Sequence, residues 1–206
     1  FFAAGVADIL YAVGMSAPKL KQAAALIAQG CQLKIIADSV PCAQAIVQYG
    51  QQNVLEFEVW IEIDTDGHRS GVKPEGDELL AIGHLLDEEG AHHRGGARLG
   101  GVMTHAGASY ELSSTEALQA MAEQERSLCV RAAERLRAAG LPCPVVSVGS
   151  TPTALSAQSL NGVTEVRAGV YVFFDLVMAN VGVCTTQDVA LSVLTTVIGH
   201  QVDKGW

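Results

Sequence analysis

Short apolar runs alternate along this chain with longer amphipathic segments, and this alternation limits the possible folds more than any other feature. The apolar runs are rich in Val and Ile and are apolar at nearly every position, a pattern typical of parallel strands that are covered on both faces. The predicted strands are Val6–Val13, Leu33–Ser39, Phe57–Asp64, Leu99–His105, Val145–Gly149 and Val166–Asp175.

The segments between these strands are predicted to be helices, because they carry start and stop signals such as an early Pro, a terminal Gly or a capping box. The predicted helices are Ala17–Gln29, Pro41–Gln51, Asp77–Glu89, Ser114–Ala139 and a short segment after Pro152. Regular alternation of strands with helices favours a parallel α/β fold.

The pattern changes after Asp175. Val189–Ile198 is another β-type run, but no helix precedes it. We therefore expect residues 1–180 to form the α/β part and residues 181–206 to begin a β-rich domain.

Composition excludes several classes of protein. Hydrophobic residues make up 49% of the chain, too many for a disordered protein. Thirteen basic against 22 acidic residues give a net charge of −9, which disfavours nucleic-acid binding. No apolar run is long enough for a membrane span. Five widely spaced cysteines without a C-x-x-C motif indicate reduced thiols and a cytoplasmic location.

Polar residues follow four of the predicted strands, where parallel α/β folds place their functional groups. Arg69, in the turn after Phe57–Asp64, is a candidate ligand for an anionic oxygen; a solvated turn is the alternative. His105 ends the next strand among small residues that would let a flat ligand approach the backbone; a core histidine is the alternative.

Two further strand ends carry candidate anion-binding groups. Gly149, Ser150 and Thr151 combine hydroxyls with the backbone N–H groups of a helix start, although ordinary N-capping explains them equally well. Arg167 is predicted to be a buried cation with a specific partner, or else a structural ion pair with Glu165. The His92-His93 pair is interpreted as a solvated loop rather than a metal site, because adjacent side chains diverge.

Taken in order, the segments IDTDGHRSGV, THAGASY, SVGSTPT and EVRAGVYVFFD resemble those of the fold-type III pyridoxal-phosphate family, in particular its D-serine dehydratase-like branch. The resemblance covers the chain from DILYA to SVLTTVIGH. It implies an alanine-racemase-like (β/α)8 TIM barrel, of which this chain is an incomplete barrel without the first strands, followed by the start of a C-terminal β domain.

The resemblance also implies roles for individual residues. Arg69 would contact the phenolic oxygen of pyridoxal phosphate, and His105 would pack against its ring. Either Tyr110 or Arg167 would meet the ring nitrogen. The phosphate would lie between the 149–151 loop and a second segment. The implied phosphate-binding group is Gly149, Ser150 and Thr151 with the backbone of Gly169 and Val170, and Tyr171 would lie close by.

The chain departs from the family in two respects: a segment carrying the Schiff-base lysine is not found, and neither is a His–Cys or His–Asp pair for the divalent metal (Zn, Mn, Co or Mg). We therefore expect the catalytic lysine and the metal ligands to lie outside this chain, which would be a fragment of a larger protein.

The activity that the resemblance implies is a dehydratase (ammonia-lyase) of D-β-hydroxy amino acids. The expected reaction converts D-threo-3-hydroxyaspartate to oxaloacetate and ammonia in a homodimer. D-serine dehydration and D-threonine retro-aldol cleavage are the close alternatives. A non-catalytic pyridoxal-phosphate-binding barrel is the alternative from another class.

Overall fold

The computed structural model describes residues 1–92 and 95–205. The interpretation of His92-His93 as a solvated loop concerns side chains outside the described residues. The strands are β1 (Asp8–Gly14), β2 (Gln32–Ala37), β3 (Glu56–Glu62), β4 (Gly96–Met103), β5 (Val145–Val148) and β6 (Glu165–Val166). The helices are α1 (Ala17–Ala28), α2 (Val40–Asn53), α3 (Asp77–His92), α4 (Thr115–Ala138), α5 (Thr151–Ser156) and α6 (Leu176–Val181).

The six strands form one sheet in the order of the sequence, and each neighbouring pair is parallel. The first five predicted strands and all five predicted helices are confirmed, with small shifts at their ends. Sequential parallel order with helical crossovers is the arrangement of a (β/α)8 barrel, here with fewer than eight strands.

Burial on both faces of the sheet explains the apolar runs. Side chains such as Ile35, Phe57 and Val59 pack against the helices in the main core. On the opposite face, Ile36 and Trp60 belong to a second and smaller cluster. Because successive residues of a strand point to opposite faces, both faces need apolar residues.

The start of α4 differs from the sequence prediction by one residue. Ser114 is the N-cap, and its hydroxyl accepts a hydrogen bond from the N–H of Ala117 at 3.2 Å. The predicted capping box paired Ser113 with Glu116. With the cap at Ser114, the third helical residue is Ala117, whose side chain cannot return a hydrogen bond to the cap.

Two strand predictions are wrong. The run Val166–Asp175 contributes only Val166 to the sheet, in the two-residue strand Glu165–Val166, and it continues as a 3-10 helix at Val170–Val172. The run Val189–Ile198 forms no strand, and the side chains of Leu194 and Ile198 are 100% and 98% exposed. A strand is stabilised by its neighbours, and no described strand pairs with this segment. The division at residue 180 stays a prediction.

Within the described residues, no helix has both the length and the apolar character needed to cross a membrane.

Candidate functional site

A cleft with two lobes opens where the strands end. The first lobe has a volume of about 340 Å³, and the second has a volume of about 300 Å³. The first lobe is lined by Ala12, Val13, Gly14, Glu62, Arg69, Ser70, Met103, His105 and Arg167. The second lobe is lined by Ala12, His105, Tyr110, Gly149, Ser150, Thr151, Arg167, Ala168 and Gly169. Because Ala12, His105 and Arg167 line both lobes, the two cavities adjoin each other at these residues.

Arg69 enters the first lobe from the loop that follows β3. Asp64 shapes this loop by accepting hydrogen bonds from the backbone of Asp66 and Gly67, at 3.2 and 2.6 Å. A Cβ atom on Gly107 would lie 2.5 Å from Nδ1 of His68 and 2.7 Å from Nε of Arg69, so the neighbouring loop packs closely against both side chains. The aspartate supports the turn that the alternative interpretation predicted, and Arg69 lines the cleft, while its role as a ligand for an anionic oxygen stays a prediction.

His105 follows β4 and lies in the centre of the cleft. Its Nδ1 is 3.2 Å from the carbonyl oxygen of Gly149, and its ring stacks on Tyr110 with centroids 5.8 Å apart and an interplanar angle of 26°. Burial lowers the pKa of His105, the Gly149 carbonyl opposes this, and the guanidinium groups of Arg69 and Arg167 lower it further. The imidazole is therefore a neutral flat surface at pH 7.

Tyr110, which stacks on this ring, is half-buried. Burial raises the pKa of its phenol, while the nearby Arg69 and the backbone of Thr151 oppose the increase. The phenol therefore stays protonated at neutral pH, and it can donate a hydrogen bond within the second lobe.

The loop after β5 holds one hydroxyl that is satisfied and one that is not. Ser150 caps α5 in a capping box with Thr153, and its Oγ lies 2.8 Å from Oγ of Ser109. Thr151 is 1% exposed, and its Oγ1 has no hydrogen-bond partner within residues 1–92 and 95–205. N-capping thus explains Ser150 but leaves Thr151 unexplained, since buried hydroxyls are normally hydrogen-bonded.

Gly149 lets this loop approach the next segment. Its φ is +126°, and a Cβ atom there would lie 2.3 Å from the carbonyl oxygen of Arg167. Both the conformation and the close contact require glycine.

Arg167 is held mainly by neutral acceptors. Its Nε donates to Oγ of Ser147 at 3.1 Å, and its Nη2 donates to the carbonyl oxygen of Thr104. The carboxylate of Glu165 is farther away, with its Oε1 4.0 Å from Nε. The predicted structural ion pair is therefore at the limit of contact, and the hydroxyl of Ser147 bridges the two side chains. Burial lowers the pKa of this guanidinium, but arginine stays protonated.

Of the other residues predicted to lie at the phosphate, one lines the cleft and two do not. Gly169 lines the second lobe. Val170 packs against the cluster around Met178, and Tyr171 is 52% exposed. Neither is among the described residues that line either lobe. The reason is that the chain leaves the sheet after Val166, so strand alternation does not direct these side chains into the cleft.

Sequence reasoning missed two buried carboxyl groups. Glu62 ends β3, lines the first lobe and accepts a hydrogen bond from Oγ of Ser70 at 2.9 Å; burial raises its pKa. The signal was a period of two: Glu56, Glu58 and Glu62 share one face of β3. Glu125 is 2% exposed on α4. Its signal was helical spacing, because it continues the buried stripe of that helix.

The cleft fits an anionic aromatic molecule such as pyridoxal phosphate. The unpartnered hydroxyl of Thr151 and the two arginines suit anionic oxygens, and the stacked rings of His105 and Tyr110 suit a flat ring. No lysine is among the described residues that line the cleft. The described residues do not fit a divalent metal, since they contain no group of three or more His, Cys, Asp or Glu side chains that could hold one.

Comparison with known proteins identifies similar chains and similar structures. The chain is 68% identical over 207 residues to D-threo-3-hydroxyaspartate dehydratase from Delftia sp. strain HT23, covering 100% of this chain and 53% of that protein. A solved structure of the Delftia enzyme superposes with a TM-score of 0.92 at 67% identity, again covering 100% of this chain and 53% of the other.

More distant relatives have related names. D-serine dehydratase from Dictyostelium discoideum is 27% identical over 96% of this chain and 52% of its own length. D-threonine aldolase from Arthrobacter sp. is 25% identical over 85% of this chain and 45% of its own length. The chain thus spans about half the length of the curated relatives it matches. The model of the alanine racemase N-terminal domain matches residues 3–177, and the chain belongs to that family.

Proposed function

We propose that this chain forms the cofactor-binding part of a pyridoxal-phosphate-dependent dehydratase of D-β-hydroxy amino acids. The observation that carries the proposal is the buried hydroxyl of Thr151, which lacks a partner within the described residues and belongs to a residue that lines the second lobe together with Arg167. A phosphate oxygen would satisfy this hydroxyl with a charge-assisted hydrogen bond.

When bound, pyridoxal phosphate supplies an electron sink for the Cα of an attached amino acid. The residues of this chain bind and orient it. Thr151 donates to the phosphate, while Arg69 supplies positive charge on the phenolic side. His105 presents the face of a neutral ring, which stacks without adding a charge. Tyr110 and Arg167 are both candidates for the ring nitrogen, because both line the second lobe.

The amine that anchors the cofactor has to come from outside the described lining of the cleft. The lysines near β1 and β3 have other partners: Nζ of Lys19 donates to the hydroxyl of Tyr11, and Nζ of Lys73 pairs with Asp64 at 2.5 Å. We propose that the lysine lies in the part of the protein that the relatives have and this chain does not span. Because the described residues do not fit a divalent metal, we propose that any metal ligands also lie in that other part of the protein.

We favour D-threo-3-hydroxyaspartate as the substrate, with oxaloacetate and ammonia as products. The support is similarity: the enzyme named for this substrate is 68% identical to the chain, whereas the D-serine dehydratase and the D-threonine aldolase are 27% and 25% identical.

A product assay on the protein that carries this chain tests the function. Ammonia and oxaloacetate from D-threo-3-hydroxyaspartate are expected. Pyruvate from D-serine as the faster reaction, or glycine with an aldehyde from D-threonine, would replace the proposal with one of the alternatives. Binding of pyridoxal phosphate without turnover of any of the three would support the non-catalytic barrel.

Two further expectations concern the assembly and its compartment. We propose a homodimer, which sedimentation of the protein tests directly. All five cysteines are free thiols, which supports a reducing compartment such as the cytoplasm.

A further inference from the structure

Glu125 is a carboxyl group enclosed in the protein. It lies on the inner face of α4 and is 2% exposed. It is not among the described residues that line either lobe of the cleft. A buried carboxyl is costly, and it is retained only where hydrogen bonds compensate for lost hydration.

The hydrogen bonds of Glu125 connect the two loops that carry the candidate site. Its Oε1 accepts from the N–H of Ala106 at 2.8 Å and from the N–H of Gly149 at 3.2 Å. Thr153, in the first turn of α5, provides a further hydrogen bond. Ala106 follows β4, and Gly149 follows β5, so one oxygen joins the ends of two neighbouring strands.

These contacts close a ring around His105. The N–H of Ala106 belongs to the same peptide group as the carbonyl of His105. The side chain of His105 lies with Nδ1 3.2 Å from the carbonyl oxygen of Gly149. Glu125 therefore holds the backbone of His105 on one side and the residue that its ring contacts on the other.

We propose that Glu125 is a positioning residue, which keeps His105 and the loop 149–151 in the arrangement that receives pyridoxal phosphate. The inference rests on the proposed function, because it assigns the cofactor to these loops. Glu125 acts through the backbone, and it touches neither the cofactor nor the substrate.

The test compares Glu125→Leu, Glu125→Gln and Ser114→Ala. Leucine fills the space but accepts no hydrogen bond, so both loops lose their connection. Glutamine retains a carbonyl oxygen that can accept from both N–H groups. Ser114→Ala removes the hydrogen bond that caps the same helix at Ala117, and because neither residue lines the cleft it controls for loss of stability alone.

Two measurements are made on each variant of the chain. The first is the Kd for pyridoxal phosphate by equilibrium dialysis, and the second is the pKa of His105 by NMR titration. Glu125→Leu should weaken binding at least tenfold and raise the pKa of His105, because burial is the main cause of its low value and a released ring is more hydrated. Glu125→Gln should stay within about threefold of the wild type, and Ser114→Ala should lose only thermal stability.

Each outcome decides between a positioning and a merely structural role. If Glu125→Leu melts earlier but keeps the wild-type Kd and the wild-type pKa of His105, the proposal is wrong. If the leucine variant does not fold, Glu125→Asp replaces it, because a side chain shorter by one methylene cannot reach both N–H groups; wild-type values in this variant would also overturn the proposal. Failure of the wild-type chain to bind pyridoxal phosphate refutes the proposed function instead, while the titration of His105 still tests the link to Glu125.

Discussion

Replacing Thr151 with valine should stabilise the free chain and weaken its binding of pyridoxal phosphate. The two side chains have nearly the same shape, so the substitution removes the unpartnered hydroxyl without opening a cavity. A buried hydroxyl without a hydrogen bond costs about 1–3 kcal/mol. We expect Thr151→Val to raise the free energy of unfolding by about 1 kcal/mol, equivalent to about 2–4 °C in melting temperature for a chain of this size.

The effect on binding has the opposite sign. A hydrogen bond to a charged group contributes about 1.5–3 kcal/mol, which corresponds to a Kd about 10 to 150 times higher when it is lost. The assay combines thermal unfolding with equilibrium dialysis of pyridoxal phosphate. Pyridoxal, which has no phosphate, provides a comparison, and its Kd should change little.

Thr153→Val is the matched control. The hydroxyl of Thr153 accepts from the N–H of Ser150 at 2.9 Å and also hydrogen-bonds to Glu125, so its loss leaves buried polar groups without a partner, and the variant serves as a control for stability only. This variant should lose about 1–2 kcal/mol of stability. If Thr151→Val is destabilised in the same way and its Kd for pyridoxal phosphate is unchanged, the hydroxyl of Thr151 is not the phosphate ligand.

Three further results are expected. Gly149→Ala should lower the free energy of unfolding in urea by about 3 kcal/mol, because it combines a strained φ with a backbone clash. Gly169→Ala, with nothing within 4 Å of its Cβ, should leave this free energy nearly unchanged. Equal losses in the two variants would contradict the close approach of Gly149 to Arg167. Arg69→Gln should raise the pKa of His105 in an NMR titration, since the guanidinium opposes protonation of the imidazole. If this pKa falls or does not change, the charge of Arg69 does not act on His105. The stability of the wild type relative to His105→Gln should decrease as the pH falls below about 6.5, because the unfolded chain then binds a proton that the folded chain does not; a relative increase would show that the folded state holds the proton.

Much of the fold could be predicted from the sequence, because local patterns encode it. Strands β1 to β5 contain apolar runs rich in Val and Ile, and this pattern is readable without a structure. The prediction of a strand at Val189–Ile198 failed because composition records a preference for β structure but not the partner that a strand needs. Strand β3 was predicted as an apolar run, and the glutamates at alternate positions, which place Glu62 in the cleft, were therefore missed.

The sequence also predicted where the candidate residues would meet. Arg69, His105 and Arg167 each follow or end a parallel strand, and the carboxyl ends of parallel strands share one edge of the sheet. The structure places all three in one lobe of the cleft. Glu125 could have been found by its helical spacing, but the two loops that it joins are 43 residues apart in the chain, at Ala106 and Gly149.

The sequence by itself determined the order of the elements, their parallel pairing and the edge at which polar residues gather. It did not distinguish the hydroxyl of Ser150 from that of its neighbour Thr151. Only the tertiary structure decided this, because Ser109 and Thr153 satisfy Ser150 and leave the buried Oγ1 of Thr151 without a partner in the described chain. The physical reason is that a strand follows from local patterning, whereas hydrogen-bond satisfaction depends on every group that folding brings within reach.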